Sequence, residues 1–324
     1  MKVIVIGLGS MGKRRIRLIK KYDEKMEILG VDAKEERCED VKKKYGIKTF
    51  SDLKLAVEDG ADCAFICTSP LSHADLISSC LKNNLHVFTE INLVADKYDE
   101  NIELAACKDL ILFLSSTFLY RDEIAYIQDE VKSSQSNLTY SYHVGQYLPD
   151  WHPWENYTDY FIGDKRTNGC REIMAIDFPW IYKTFGEIVD VYVRKNKKTK
   201  LKTDYNDSYL ISLEHENGTQ GSILIDVVSR KAVRNLEVFG EDLYLSWDGS
   251  AYGLRKYNLE NKKEEEVLLY DNVDKQKGYA EFVVENAYFN EIKTFFEEIS
   301  GKETEKYSFD EDKKILALID KIEG

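Results

Sequence analysis

The first 32 residues constrain the fold most, because they combine a strand, a glycine turn, a helix and a second strand in a fixed order. The apolar run 3–6 leads into Gly7, Gly9 and Gly12, which have the spacing G-x-G-x-x-G. The second strand ends in Asp32, and 32 − 12 = 20 residues separate this acid from the last glycine. In this context the pattern predicts a dinucleotide-binding domain.

Each position of the glycine turn has a physical task in such a domain. Gly7 permits the tight turn, Gly9 lets the backbone approach a pyrophosphate, and Gly12 lets the helix pack closely on the strand. Ser10 and Met11 begin the helix, where free amide groups favour phosphates. All five residues are therefore predicted to bind the cofactor.

Asp32 predicts which cofactor is preferred. A carboxylate at the end of the second strand accepts hydrogen bonds from the adenosine ribose and repels a 2′-phosphate, which favours NAD over NADP. Arg14 and Arg15 follow the glycine turn, and a guanidinium near the ribose could hold the extra phosphate. NADP therefore stays open as a less favoured cofactor.

Composition limits the partners and the compartment. A net charge of −13 argues against nucleic acid or an anionic membrane as the main partner. The basic run 195–202 lies between two strand-like segments and is interpreted as a solvated hairpin connection. The six cysteines have no metal-ligand spacing, and neither a signal peptide nor an apolar run of membrane length is found. These features predict a cytoplasmic protein without a metal site.

Hydrophobic periodicity divides the chain into two halves. Over residues 1–119, short apolar runs alternate with amphipathic stretches, which predicts an α/β Rossmann domain with a doubly wound parallel sheet. Residues 120–324 predict an α+β substrate-binding and oligomerisation domain with an open mixed or antiparallel sheet. The predicted strands are 26–32, 63–67, 86–90, 111–115, 138–146, 188–194, 209–215, 222–228, 236–239, 243–247 and 266–270, and the later helices are 170–185, 282–299 and 315–322.

Three segments resemble the Gfo/Idh/MocA family, which includes glucose-fructose oxidoreductase and inositol dehydrogenase. They are C-T-S-P-L-S-H at 67–73, L-H-V-F-T-E at 85–90 and K-T-F-G-E-I-V at 183–189. The resemblance implies NAD(P)-dependent oxidation or reduction of sugars, inositols or related polyols, and a homodimer or homotetramer built through the open sheet. It also implies a position near the nicotinamide for Thr68, Pro70, His73 and Glu90.

The chain departs from this family at two places. Where the family has E-K-P, this sequence has Glu90, Ile91 and Asn92. The lysine that polarises or deprotonates the reacting hydroxyl group in the family is therefore absent. Asn92 is predicted to contact the substrate. On the substrate-domain helix, the family's aspartate position falls on Glu172, and its histidine position falls on an isoleucine beside Asp177. A shift of one residue would place Asp177 in the histidine position, and both acids are catalytic candidates.

An aromatic segment at 140–155 offers further candidates. His152 is the first choice for a general acid or base, because imidazole works in both directions near neutral pH; packing as a loop staple is the alternative. Trp151 and Trp154 are predicted to contact the substrate, because flat aromatic rings pack well against the faces of sugar rings. Arg171 is either a phosphate clamp or an ion-pair partner of a neighbouring acid.

These observations leave three functions open. The leading hypothesis is an NAD-dependent oxidoreductase that acts on a sugar, sugar phosphate or nucleotide sugar, with His152, Asp177 or Glu172 in place of the lysine. The second is an isomerase, epimerase or eliminating enzyme that retains its NAD. The third is a regulatory protein that binds dinucleotide or sugar without catalysis.

Overall fold

The computed structural model of the protein describes residues 1–152, 155–274, 283–304 and 307–324. It divides into two compact units. The first consists of Met1–Ser116 and Tyr288–Lys314, and the second of Thr117–Ala287 and Ile315–Gly324. The sequence pattern expects one boundary after residue 119, whereas in the structure the chain returns to the first unit near its end.

The first unit is built on a six-stranded parallel sheet with strand order β3-β2-β1-β4-β5-β6. This order is that of a doubly wound dinucleotide-binding sheet, so the predicted fold class is confirmed. The short strand β3 carries Lys48 and Thr49 and has no apolar run that could have revealed it. The elements are β1 (Lys2–Ile6), α1 (Ser10–Tyr22), β2 (Glu27–Val31), α2 (Glu35–Tyr45), β3 (Lys48–Phe50), α3 (Leu53–Glu58), β4 (Cys63–Ile66), α4 (His73–Lys82), β5 (His86–Thr89), α5 (Tyr98–Cys107) and β6 (Leu112–Leu114).

The second unit contains an eight-stranded sheet in the order β14-β13-β12-β11-β7-β10-β9-β8. Only the β7 and β10 pair is parallel among these described strands, so the predicted mixed sheet is confirmed. The elements are α6 (Asp122–Ser133), β7 (Thr139–Gly145), α7 (Gly169–Phe185), β8 (Ile188–Asn196), β9 (Ser208–His215), β10 (Gln220–Asp226), β11 (Val233–Phe239), β12 (Tyr244–Trp247), β13 (Arg255–Asn258) and β14 (Lys263–Glu266).

One predicted strand of this sheet is wrong. Residues 266–270 were expected to form a strand, but β14 ends at Glu266 and the following four residues have no regular structure. The hairpin of β13 and β14 lies earlier in the chain and is held by polar pairs, such as the 2.9 Å hydrogen bond from Asn258 Nδ2 to Glu265 Oε1. An exposed hairpin of charged residues has no apolar alternation to predict it.

Two helices end the chain, α8 (Glu285–Ile299) and α9 (Phe309–Glu323). Phe295 of α8 packs edge-on against Phe65 and Phe88 of the parallel sheet, with ring centroids 5.2 and 5.6 Å away. A capping box precedes α9, since Ser308 N donates to Glu311 Oε2 (2.9 Å) and Glu311 N donates to Ser308 Oγ (3.2 Å). The predicted start of α8 at residue 282 lies outside the described residues.

No helix in the described part of the chain is both long and apolar enough to cross a membrane. Over the same residues, no group of three or more histidine, cysteine, aspartate or glutamate side chains is arranged to hold a metal ion.

Candidate functional site

The glycine turn after β1 is held in a conformation that larger residues could not adopt. Gly7 has a φ of +89°, and a Cβ there would lie 2.6 Å from the Cys67 carbonyl oxygen. A Cβ on Gly12 would lie 1.9 Å from the carbonyl oxygen of Gly7. The turn and the close packing of α1 on the sheet therefore both depend on glycine.

The N-terminus of α1 is open to an anionic ligand. The helix begins at Ser10, its N-cap residue Gly9 provides no side-chain hydrogen bond, and the first turn contains no acid. A Cβ placed on Gly9 would have no described neighbour closer than 3.9 Å, where Arg37 Nη1 lies. Uncapped amides beside open space fit the pyrophosphate of a dinucleotide, so the residues present suit this cofactor.

Asp32 is buried and joins the glycine turn to the loop after β2. Leu8 N donates to its Oδ2 and Lys34 N donates to its Oδ1, both at 2.8 Å. Arg37 Nη1 lies 3.5 Å from the same Oδ2, on a side chain that is 40% exposed. A partly exposed cation therefore lies beside the acid that was predicted to repel a 2′-phosphate. Sequence reasoning missed Arg37.

Arg14 and Arg15, on which the NADP alternative depends, are both buried. Arg14 has its guanidinium 4.3 Å from the ring centre of Tyr288. Arg15 is fully buried between two acids: it donates to Glu90 Oε1 (2.6 Å) and to Glu291 Oε2 (2.8 Å). Their burial gives no support to a 2′-phosphate contact at either arginine, and the preference for NAD stays a prediction.

Arg15 is the ion-pair partner of Glu90 and of a second buried acid, Glu291. Burial alone would lower the pKa of Arg15, but the charges of Glu90 and Glu291 raise it. Burial also raises the pKa of Glu291, whose Oε1 accepts a hydrogen bond from Ser116 N at 2.7 Å. The ion pair with Arg15 fixes Glu90 at the end of β5, and its predicted contact with the nicotinamide ribose stays a prediction.

His73 is buried at the start of α4 and links two loops of the parallel sheet. Its Nε2 lies 3.1 Å from the carbonyl oxygen of Thr68, and because a carbonyl only accepts, this nitrogen carries the proton. Its Nδ1 lies 2.8 Å from Asn92 Oδ1; a neutral ring accepts there only if the amide nitrogen and oxygen of Asn92 are exchanged, which also gives the otherwise unpartnered Nδ2 a partner. Burial lowers the pKa of His73 and favours the neutral ring. His73 therefore positions the segments that contain Thr68, Pro70 and Asn92.

Glu172 is the acid in the second unit whose environment best fits proton transfer. It lies half-buried in the first turn of α7. Burial raises its pKa from 4.5 to about 7. No described residue forms a salt bridge or a hydrogen bond with its carboxylate. A carboxyl group of this kind exists in both protonation states near neutral pH.

His152 and Tyr160 form a stacked pair in the loop before α7. Their rings are 4.8 Å apart with an interplanar angle of 23°. His152 Nδ1 also lies 3.7 Å from Glu155 Oε2, and burial lowers the pKa of the imidazole. The geometry thus agrees with the packing alternative for His152. Sequence reasoning missed Tyr160. The charge of Glu172 contributes to the raised pKa of Tyr160, which indicates that His152, Tyr160 and Glu172 lie in the same region of the second unit.

Asp177 lies on another face of α7 and is completely buried. Its Oδ1 accepts hydrogen bonds from Tyr142 Oη (2.7 Å) and Trp180 Nε1 (2.8 Å), and from the guanidinium of Arg234, which stacks 4.4 Å above the Phe118 ring. All three bonds end on Oδ1, and the buried Oδ2 has no described hydrogen-bond partner. The network holds Asp177 in the core of the second unit, and its catalytic role stays a prediction.

The remaining substrate candidates have structural contacts or lie outside the described residues. Arg171 donates to Asp320 Oδ1 (2.7 Å) and Glu323 Oε2 (2.5 Å) of α9, so its expected pairing with Glu172 or Asp177 is wrong. Trp151 Nε1 donates to the Gln146 carbonyl at 2.9 Å and thereby braces its own loop. Trp154 lies outside the described residues.

The parallel sheet, glycine turn and Asp32 together define a dinucleotide-binding domain. Residues 1–115 match the family model described as "Oxidoreductase family, NAD-binding Rossmann fold", named GFO_IDH_MocA. A myo-inositol 2-dehydrogenase of Thermotoga maritima is 25% identical over 337 aligned residues, covering 98% of this chain and 94% of the relative. Residues 1–115 therefore match the NAD-binding domain of the Gfo/Idh/MocA type that the sequence motifs resemble, and the chain is similar to one such dehydrogenase over nearly its whole length.

Solved structures share the fold over nearly the whole chain. An oxidoreductase from Agrobacterium radiobacter, in complex with NAD⁺, L-tartaric acid and magnesium, has a TM-score of 0.80 at 15% identity and covers 99% of this chain and 94% of its own. A UDP-N-acetylglucosamine 3-dehydrogenase from Acidithiobacillus ferrooxidans has a TM-score of 0.73 at 18% identity, with coverage of 100% and 96%. At these identities the likeness shows the fold alone.

Proposed function

We propose that the protein is an NAD-dependent oxidoreductase that acts at a hydroxyl or carbonyl carbon of a sugar, sugar phosphate or nucleotide sugar. The observation that carries the proposal is Glu172, a half-buried carboxyl with a pKa of about 7 in a chain that lacks the usual lysine of the family it resembles. Glu172 supplies the proton transfer that Ile91 cannot.

The first unit would hold the cofactor. The amides at the N-terminus of α1 and the glycine turn fit its pyrophosphate, and Asp32 fits a ribose. When bound, the nicotinamide accepts or donates a hydride. NAD is the proposed preference because Asp32 is an acid, while Arg37 beside it moderates the repulsion of a 2′-phosphate, so NADP binds less tightly rather than not at all.

Glu172 would act as the general base when a hydroxyl is oxidised. The ionised carboxylate accepts the hydroxyl proton, and the protonated carboxyl returns it in the reverse direction. A pKa near the working pH keeps both forms available, which is the requirement for a group that serves both directions. We assign the proton transfer to Glu172 rather than to His152, whose ring is stacked on Tyr160, or to Asp177, whose Oδ1 already accepts three hydrogen bonds in the core.

The activities of two similar proteins support a carbohydrate substrate. One acts on myo-inositol and another on a nucleotide sugar, and both substrates present ring hydroxyl groups. Arg171 is occupied by two acids of α9 and gives no support to a phosphate clamp at that position. Neutral ring hydroxyls are therefore the proposed point of reaction.

A comparison of two variants tests this assignment. E172Q and E216Q both remove an acid from the second unit, but Glu216 is exposed and only Glu172 is proposed to take part in proton transfer. With NAD we expect the wild type to form NADH from at least one of myo-inositol, glucose 6-phosphate and UDP-N-acetylglucosamine, and the rate to fall about 10²- to 10⁴-fold in E172Q. Equal rates for E172Q and the wild type would exclude Glu172 as the base.

Self-association through the open sheet is also proposed. Val189, Tyr192 and Leu210 on the β8 and β9 edge are more than half exposed, and exposed apolar side chains on a sheet favour contact with another copy. A homodimer or homotetramer is expected in solution, and sedimentation equilibrium would test it. The cytoplasm is the proposed compartment.

A further inference from the structure

Tyr160 has a hydroxyl group that the fold itself does not use. The hydroxyl oxygen is buried, and no described residue forms a hydrogen bond with it. The ring is nevertheless fixed, stacked on His152 at 4.8 Å and edge-on to Phe161 at 5.8 Å. A buried hydroxyl without a partner costs stability, so its presence requires an explanation.

The surroundings of Tyr160 determine which role its hydroxyl can take. Burial, followed by the charges of Glu172 and Glu155, raises the pKa of the phenol above its ordinary value. The group therefore keeps its proton and can donate a hydrogen bond, but it is a poor base. Glu172, which acts on the phenol through its charge, also lacks a described hydrogen-bond partner. The effect of this charge indicates that the fixed donor and the proton acceptor lie in the same part of the second unit.

We propose that Tyr160 is a catalytic residue whose hydroxyl donates a hydrogen bond to the substrate oxygen that loses its proton to Glu172. The inference rests on the proposed function and adds a second group to that site. It explains both unpartnered groups at once, because a single substrate hydroxyl would satisfy the donor and the acceptor.

The proton balance follows from these two roles. During oxidation the substrate O–H bond breaks, its proton forms a new O–H bond on Glu172, and the electron pair stays on the substrate oxygen while the hydride leaves to the cofactor. Negative charge therefore develops on that oxygen, and the hydrogen bond from Tyr160 strengthens as it does. Tyr160 keeps its own proton throughout, which its raised pKa allows.

A donor that acts on developing charge contributes to the rate more than to ground-state binding. Removing one such donor in other enzymes lowers kcat by about 10²- to 10³-fold. The substitution Y160F keeps the ring and its stacking but deletes the hydroxyl. Because the hydroxyl has no described partner in the folded protein, its deletion removes a buried polar group and costs no described hydrogen bond.

The test compares Y160F with Y157F, a matched tyrosine of the same loop. The hydroxyl of Tyr157 accepts a hydrogen bond from Lys202 N at 3.0 Å and is given no role in catalysis. With NAD and the substrate panel named above, we expect kcat of Y160F to fall by about 10²-fold with KM changed only a few-fold. Its melting temperature stays at or above that of the wild type, whereas Y157F keeps kcat and melts at or below the wild type.

Three results would overturn the inference, and they are distinguishable. If Y160F retains kcat within about twofold while E172Q loses it, Tyr160 is not catalytic, although the proposed function stands. If Y160F melts well below the wild type, its hydroxyl has a structural role. If the wild type forms no NADH with any member of the panel, the proposed function fails and the role of Tyr160 fails with it.

Discussion

Replacing Glu172 with glutamine is predicted to stabilise the protein at alkaline pH and to abolish its activity. Burial raises the pKa of this carboxyl from 4.5 to about 7. The difference of 7 − 4.5 = 2.5 corresponds to about 3 kcal/mol, at ~1.4 kcal/mol for each pKa unit. This energy is the cost of ionising Glu172 inside the folded protein instead of the unfolded chain.

The sign of the pH dependence follows from linkage. The folded protein binds the Glu172 proton more tightly than the unfolded chain does, so raising the pH through the interval from 4.5 to about 7 lowers the free energy of unfolding. Below this interval the carboxyl is neutral in both states and imposes no cost. Glutamine stays neutral at every pH. The stability advantage of E172Q over the wild type is therefore expected to grow by up to about 3 kcal/mol between acidic and alkaline pH.

Urea denaturation, followed by tryptophan fluorescence, measures this difference in the free energy of unfolding in the unit that contains Glu172. All four tryptophans fall between residues 117 and 287, in the same unit as Glu172. The exposed Glu216 provides a matched control, and E216Q is expected to differ from the wild type by no more than about 0.5 kcal/mol at any pH. If the curves of stability against pH run parallel for E172Q and the wild type, the reasoning about the buried carboxyl is refuted.

Three further predictions follow from the buried charges and the cofactor turn. D177N is expected to lose about 3–5 kcal/mol in the free energy of unfolding, because Arg234 loses its charge partner; a stable but inactive D177N would restore Asp177 as a catalytic candidate. R15M leaves two buried carboxylates without their cation and is expected to cost a similar ~3–5 kcal/mol by denaturation, which an unchanged midpoint would contradict. R37A is expected to weaken NADP binding about 10-fold more than NAD binding in fluorescence titrations, and an unchanged ratio would exclude Arg37 from cofactor selection.

The first unit could be predicted well because its determinants are local. The G-x-G-x-x-G spacing, the acid at position 32 and the alternation of strands and helices all lie in continuous segments, and short βαβ connections fix the parallel sheet. Its electrostatics could not be predicted in the same way. Arg15 and Glu291 are far apart in sequence, and only the packing of α8 on the sheet brings them together.

The second unit shows the same division between local pattern and tertiary contact. Period-two alternation located most strands, but no pattern indicated that Arg171 would pair with α9 rather than with an acid of its own helix. Tyr160 could have been singled out as an aromatic residue shortly after the aromatic segment 140–155, although its unpartnered hydroxyl is visible only in the structure. Asp177 and Glu172 are five positions apart, a spacing that places two side chains on different sides of a helix, so their separation follows from local geometry.

A single-turnover measurement tests the central claim that this chain couples NAD to the oxidation of a ring hydroxyl through Glu172. The protein, in excess over NAD and at about pH 8 where Glu172 is ionised, is mixed with the substrate panel while the absorbance of NADH is followed. The account predicts stoichiometric NADH in the wild type with at least one substrate, at a rate that falls as the pH is lowered through about 7, and a large loss of rate in E172Q. Tight binding of NAD with no NADH from any substrate would contradict it.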